Sequence, residues 1–297
     1  MPNLSCDAVP DYASRLRAAC ARFEDSGEVD TESLRTQPSI LFGLETAVRH
    51  AMSGSFALWP TPFSRGEAGI PINGLIWMAD AAEMARQIED KLTQGFRCLK
   101  LKIGAIDFDD ELALLTGIRR RFSRDRVVLR VDANGAFSVA EAMEKLERLA
   151  ELDIHSIEQP IRAGQWRAME KLAANAPLPI ALDEELIGVH AVTQKEELLD
   201  TVHPRFIVLK PSLHGGMRGC AEWIALAEAR GIGWWVTSAL ESNIGLNAIA
   251  QWTASLNVNA ALPQGLGAGT LFTGNVPMPL SVENGRLWFD PARLPDA

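Results

Sequence analysis

From Ile70 onward the chain repeats one unit, a short apolar, β-branched run followed by an amphipathic helical stretch. The runs fall at Ile72–Met78, Cys98–Ile103, Val127–Val131, Ser156–Gln159, Ile180–Asp183, Phe206–Lys210, Gly233–Thr237 and Ala260–Pro263. Helical periodicity marks Ala81–Thr93, Asp110–Phe122, Val139–Leu152, Trp166–Asn175, Gly219–Arg230 and Gly245–Leu256 between them. In Val139–Leu152, Ser138 reads as an N-cap with Glu141 three residues on, and Ala142, Met143, Leu146, Leu149 and Ala150 form the apolar stripe. Strands that alternate with helices make parallel βαβ units. Eight of them at a spacing of roughly 25–30 residues predict an α/β chain with a (β/α)8-type barrel. An open doubly wound sheet would carry a glycine-rich phosphate loop after its first strand. No glycine follows Ile72–Met78 in the turn, and Gly265-Leu266-Gly267-Ala268-Gly269 comes far too late.

The first 68 residues read differently. Asp11–Phe23 and Ser39–Met52 have helical apolar spacing, and Thr31–Leu34 starts a shorter helix. Trp59-Pro60-Thr61-Pro62 and Ser64-Arg65-Gly66 are loop signals, and no convincing pair of strands precedes them. At 47% hydrophobic the chain can bury a sizeable core, and its net charge of −9 argues against a nucleic-acid partner. No apolar run reaches the ~18 residues of a membrane span. Cys6, Cys20, Cys98 and Cys220 are scattered, form no CxxC pair and follow no secretory leader, so reduced thiols and a cytoplasmic location are expected.

In a barrel of this kind the chemistry sits at the C-terminal ends of the strands. Lys100 and Lys102 lie two apart in Leu99–Ile103, so both ammonium groups leave the same face of that strand. They require either a solvated edge or an acidic or metal-bearing cavity opposite. The later strand ends supply the cavity. They read Arg130-Val131-Asp132-Ala133-Asn134, Glu158-Gln159-Pro160, Asp183-Glu184, Leu209-Lys210-Pro211 and Ser238-Ala239-Leu240-Glu241-Ser242. Steps of 30 from Lys102 to Asp132, 26 to Glu158, 25 to Asp183 and 27 to Lys210 are each one βα unit. Asp132, Glu158 and Asp183 thus form an all-oxygen donor set that selects a hard cation, Mg²⁺ with Mn²⁺ as the alternative. A cation between Lys100/Lys102 and Lys210 suits one reaction. A substrate carboxylate binds the metal, a lysine removes the adjacent α-proton, and the metal stabilises the enediolate.

Lys-x-Lys, Asp-x-Asn, Glu-Gln-Pro, Asp-Glu and Leu-Lys-Pro in this order resemble the muconate-lactonising subgroup of the enolase superfamily over about residues 39–290. Within it, Trp234-Trp235-Val236-Thr237-Ser238-Ala239-Leu240-Glu241-Ser242-Asn243, Gly265-Leu266-Gly267, Leu271-Phe272 and Ser39–His50 are most similar to the o-succinylbenzoate synthase family. The resemblance implies a barrel in the modified (β/α)7β form over 69–278, a capping domain represented by 1–68, and a C-terminal segment, 279–297, that returns to the cap. It also implies a hydro-lyase of menaquinone biosynthesis. That family performs the syn dehydration of 2-succinyl-6-hydroxy-2,4-cyclohexadiene-1-carboxylate to 2-succinylbenzoate. Lys102 would take the ring α-proton and pass a proton to the departing hydroxyl, Lys210 would face the ring as a cation, and Lys100 would assist electrostatically. Arg130, Asn134, Ser238 and the backbone of Gly265, Leu266 and Gly267 are the expected substrate contacts. Arg130 shares a strand face with Asp132, and a buried ion pair is its equal alternative.

Members of the superfamily begin with cap strands, whereas here a helical pattern comes first and Asn3-Leu4-Ser5 resembles the tail of a specificity loop. The cap is therefore expected to be truncated, and an inactive remnant is one reading of the chain. The other reading is an epimerase or racemase of dipeptides or N-acylamino acids, with Lys102 and Lys210 as bases on opposite faces. Dipeptide epimerases carry Asp-x-Asp after the last barrel strand, where this chain reads Gly265-Leu266-Gly267-Ala268-Gly269-Thr270. A small carboxylate substrate is expected and no nucleic-acid or membrane partner, with the oligomeric state open. His50, His155, His190, His203 and His214 form no HxH or HExxH pair and read as surface or cap residues. Arg119-Arg120-Arg121 and Lys195-Glu196-Glu197 read as solvated helix faces.

Overall fold

A computed structural model describes residues 4–256, 258, 262–267 and 275–293. Two helices come first, α1 (Tyr12–Ser26) and α2 (Pro38–Ser53), and Thr31–Leu34 forms turns rather than a helix. The barrel strands are β2 (Gly74–Ile76), β3 (Cys98–Lys102), β4 (Val128–Asp132), β5 (Ser156–Glu158), β6 (Ile180–Leu182), β7 (Phe206–Leu209) and β8 (Gly233–Val236). They pair in parallel in sequence order. Helices α3 (Ala81–Thr93), α4 (Phe108–Arg121), α5 (Val139–Ala150), α6 (Trp166–Asn175), α7 (Val192–Val202), α8 (Gly216–Glu228) and α9 (Asn243–Ser255) fill the intervals and the stretch after β8. Strands covered on both faces read as continuous apolar runs, which is why the chain alternates so plainly. Helix α5 starts with the expected reciprocal cap between Ser138 and Glu141, and buries Ala142, Leu146 and Leu149.

The seven-stranded sheet is closed by the segment around Gln264. Residues 260–261 of the expected eighth run lie outside the described residues. The observed seam lies just after them, through parallel bridges Ile72↔Gln264 and Thr237↔Gly265. Gln264 donates its backbone N–H to the Pro71 carbonyl (2.8 Å) and accepts from Asn73 (2.9 Å), while Gly265 donates to Val236 (2.8 Å) and accepts from Ser238 (3.0 Å). Gly265 is required here, since a Cβ would run into the Thr237 hydroxyl. The buried Gln264 side chain completes the seam, its Oε1 accepting from Val236 N–H (2.8 Å) and its Nε2 donating to the Leu262 carbonyl (2.7 Å).

At the N-terminal end of the barrel, β1 (Ile70–Pro71) pairs with the hairpin of β9 (Leu280–Glu283) and β10 (Arg286–Phe289). Helix α2 docks on the barrel through Glu45, whose carboxylate accepts the Met217 and Arg218 amides at the start of α8 (2.6 and 3.0 Å). Among the described residues, no helix is long and apolar enough to cross a membrane.

Two charged runs depart from expectation because tertiary contacts capture one residue of each. Lys195 is buried and donates to the Gly219 carbonyl (3.0 Å) and Glu222 (2.8 Å). Arg119 is half-buried and donates to the carbonyls of Leu152 and Val127 (2.7 Å each).

The Gln264→Leu variant tests the seam. It leaves the Val236 N–H and Leu262 carbonyl without partners, and each unsatisfied buried group costs about 1–3 kcal/mol. Urea unfolding is expected to lose about 2–4 kcal/mol, and a loss below about 0.5 kcal/mol would show that closure does not depend on this side chain.

Candidate active site

The pairing register sets the height of each side chain at the barrel mouth. Lys100, Arg130 and Ser156 lie in one row across β3, β4 and β5, and Lys102, Asp132 and Glu158 lie in the next row up. Asp183 follows β6 and Lys210 follows β7. With the seam counted as a stave, β3 and β7 stand four staves apart and so on opposite sides of the mouth. The mouth therefore has two halves. Asp132, Glu158 and Asp183 occupy one, while the β8 end, the seam and β2 form an almost uncharged other half, with Lys102 and Lys210 on the boundary. A cavity of about 260 Å³ lies there. Leu75 and Trp77 line it on one side, Ser238, Ala239 and Leu240 on another, and Gly265 and Gly267 at the seam. Leu4 also reaches it, whereas Asn3 lies outside the described residues.

Asp132 and Asp183 are fully buried, and Glu158 is 2% exposed. Lys100 Nζ stands 2.8 Å from Asp132 and 2.7 Å from Glu158. Lys102 donates to Asp132 (2.5 Å) and to Asn134 Oδ1 (2.8 Å), and Lys210 donates to Asp183. Burial alone would strip charge from Lys100 and Lys210, but Asp132 and Glu158 for the first, and Asp183 and Glu158 for the second, outweigh it and hold both as ammonium. Burial likewise opposes ionisation of Asp132, and Lys100 and Lys102 overcome it. Glu158 is pushed upward by burial and by the Asp132 charge, and Asp183 upward by burial and Glu184.

Three buried carboxylates supply only oxygen donors, the ligand type a hard divalent cation prefers. Among the described residues, no three His, Cys, Asp or Glu side chains stand in ready metal-binding geometry, and the carboxylates are paired with lysines instead. Glu158 Oε2 and Asp183 Oδ1 are nevertheless buried without a hydrogen-bond partner, and Glu158 and Asp183 ionise reluctantly as they stand. Orphaned oxygens on facing, crowded carboxylates match the preference of Mg²⁺ or Mn²⁺ for oxygen ligands.

The other expected residues divide. Asn134 sits at the mouth with φ of 44°, held by its own amide donating to Asp132 Oδ1 (3.1 Å), and its Nδ2 donates to Glu184 (2.8 Å). Gly265 and Gly267 line the cavity, whereas Leu266 is fully buried behind them. The Ser238 hydroxyl donates to Glu241 (2.6 Å), which also accepts from Ala239 N–H (2.8 Å) and the Ser212 hydroxyl. Arg130 requires correction as a mouth residue. Its guanidinium lies 4.1 Å from the Trp235 ring centroid and donates to the Pro263 carbonyl (2.8 Å), so it fills the barrel one row below and lines no part of the cavity. It makes no ion pair with Asp132 among the described residues. Leu271 and Phe272, and Ala268 to Thr270, lie outside the described residues.

Sequence reasoning overlooked the residues that hold these loops. Gln159 accepts from the amides of Asp183 and Glu185 (3.2 Å each) and donates to Glu185 (2.9 Å), tying the β5 end to the β6 end. Its signal is the Glu158-Gln159-Pro160 stretch itself, since a glutamine at a buried strand end must find partners. His214, expected as a surface or cap residue, is buried beside Lys210.

Comparison with known proteins agrees with this geometry. Residues 83–293 match a family model described as enolase C-terminal domain-like. The chain is 54% identical over 278 residues to o-succinylbenzoate synthase of Desulfotalea psychrophila, covering 93% of this chain and 74% of that one. It is 34% identical over 175 residues to L-Ala-D/L-Glu epimerase of Bacillus subtilis, and that match spans about half of the epimerase, 47%. The crystal structure of MenC from Desulfotalea psychrophila superposes with a TM-score of 0.78 at 46% identity, covering 97% of this chain and 88% of that one. Seven parallel strands closed at one seam, lysines facing each other across buried carboxylates, and these matches together place the chain in the enolase superfamily, in the family of enolase C-terminal domain-like proteins.

Proposed function

We propose that this chain is an o-succinylbenzoate synthase, a hydro-lyase that dehydrates 2-succinyl-6-hydroxy-2,4-cyclohexadiene-1-carboxylate to 2-succinylbenzoate in menaquinone biosynthesis. The observation that carries the reading is the 54% identity over 93% of the chain to a protein of that activity. The divided mouth supplies a physical route. Asp132, Glu158 and Asp183 would hold Mg²⁺, with Mn²⁺ as substitute. When bound, the cation supplies positive charge against the electron density that proton removal pushes onto the substrate carboxylate.

The ring would occupy the uncharged half, against Leu75, Trp77 and the Gly265–Gly267 backbone. Lys102, entering from β3, would take the α-proton. Its new proton would then go to the hydroxyl on the same face as that C–O bond breaks, releasing water and leaving an aromatic ring. One base on one face gives a syn elimination. Lys210, directly across, would meet the opposite ring face as a cation, a contact worth ~2 kcal/mol or more when desolvated. Lys100 would stay charged and keep Asp132 and Glu158 in place, and Asn134 would orient Lys102. In this reading residues 1–68 form part of a cover and 69–278 the barrel, a division supported by Leu4 at the cavity wall and by Glu45 at the start of α8.

Ultraviolet absorbance will follow loss of the diene. With Mg²⁺ present, turnover is expected, to be abolished by excess EDTA and lowered ~10²–10⁴-fold by Lys102→Ala, the usual cost of removing a general base. Turnover that survives EDTA, or an active Lys102→Ala chain, would contradict the reading. Mg²⁺ is also expected to stabilise the wild type in a concentration-dependent way, by about 2.7 kcal/mol at a hundred times Kd, read as a rise in melting temperature. Glu158→Gln should abolish most of that shift, and an undiminished shift would place the ion elsewhere.

A further inference from the structure

Lys210 is the last residue of its strand run, and both of its backbone polar groups are held by the loop it begins. The Leu213 and His214 amides donate to its carbonyl at 2.8 and 2.9 Å. Its own N–H donates to Nδ1 of His214 at 3.0 Å. His214 is 3% exposed, so this bond is made away from solvent. An imidazole accepts at Nδ1 only when it is neutral with its proton on Nε2. Burial first, then the nearby ammonium groups of Lys210 and Lys195, keep the ring in that neutral form. The turn is braced from behind by α8, where Gly219 passes so close that a Cβ would run into the His214 carbonyl oxygen. Lys195, bonded to the Gly219 carbonyl, fixes that stretch of α8 to α7.

We propose that His214 is a positioning residue for Lys210, fixing its backbone amide and thereby the place from which its ammonium group faces the substrate. The inference rests on the role given to Lys210 above and extends it to a side chain that touches neither substrate nor ion. A lysine side chain has four rotatable bonds, so only a fixed Cα makes one location of its ammonium group reproducible. Misplacement of a catalytic group by about 1 Å can cost ~10²-fold in rate.

The test compares His214→Ala with His214→Asn, whose Oδ1 can take the place of ring Nδ1, and with His214→Gln, whose amide reaches instead to the Nε2 position. His214→Ala is expected to lower kcat by about 10–100-fold with KM changed less than about threefold, and His214→Asn to recover kcat to within about fivefold of wild type. If His214→Ala does not fold, an active Asn and an impaired Gln variant carry the same result. Hydrogen exchange of the Lys210 amide gives a readout independent of turnover. Protection is expected in the wild type and in His214→Asn, and its loss in His214→Ala. A wild-type kcat in His214→Ala, Asn and Gln variants of equal activity, or unchanged amide protection in His214→Ala would overturn the proposal. A Lys210→Ala chain as active as wild type would refute the catalytic role of Lys210 instead, and amide exchange would still decide whether His214 holds that residue.

Discussion

Three carboxylates and three ammonium groups meet inside the mouth of this barrel, where neither set could stand alone. An unpaired ion moved from water into such an interior loses several kcal/mol even after relaxation, and removing one partner of a buried pair costs about 3–5 kcal/mol. Lys100 bridges Asp132 and Glu158, Lys102 holds Asp132, and Lys210 holds Asp183. Most of the surrounding architecture serves to keep that cluster in register. A second layer of buried polar side chains pins the loops behind it. Glu111 accepts the Gly104 and Ala105 amides (2.6 and 3.3 Å) just past Lys102, and Glu185 accepts from Gly164 (2.6 Å) while receiving Gln159. These loops cannot drift without breaking the bonds between their amides and buried carboxylates.

The chemistry follows from how the charges are distributed around the ring of strands. Carboxylates occupy one half of the mouth, and the other half is built from glycine backbone, aliphatic residues and tryptophan. With a cation between the carboxylates, the ring carboxylate of the proposed substrate would turn toward the acidic half and its ring would lie over the neutral half. Lysines at the two boundaries would then meet the two faces of the ring. A dehydratase needs only one of them as a base, while the opposite one can remain charged, as Asp183 and Glu158 hold Lys210 here.

Much of this was legible in the sequence because the spacing of the strand ends repeats, and one repeat fixes both the height and the angular position of a residue in a barrel. That argument locates Lys102, Asp132, Glu158, Asp183 and Lys210 without any knowledge of packing. It fails for Arg130, which shares the face of Asp132. Whether so long a side chain rises to the mouth or lies flat depends on Trp235 across the barrel, and sequence spacing cannot report that contact. It fails for Lys195 and His214 as well. Their burial depends on Gly219, where the missing side chain lets α8 come close enough to bury both. The seam was expected at Ala260–Pro263 from its apolar character, yet its observed bonds are made at Gln264 and Gly265, a polar residue and a glycine that propensity assigns to a loop. The capping box of Ser138 and Glu141, a purely local device, was read correctly from four residues.

In the proposed site the three carboxylates hold one cation, and the lysines balance their charge. Diffraction from crystals soaked in Mn²⁺ tests this most directly, because the ion's anomalous scattering marks its position independently of the protein. A single peak bonded to oxygens of Asp132, Glu158 and Asp183, with the Lys100 ammonium group displaced from at least one of its carboxylates, is the predicted result. A peak bonded to only one of the three, or lying elsewhere on the barrel, would contradict the account.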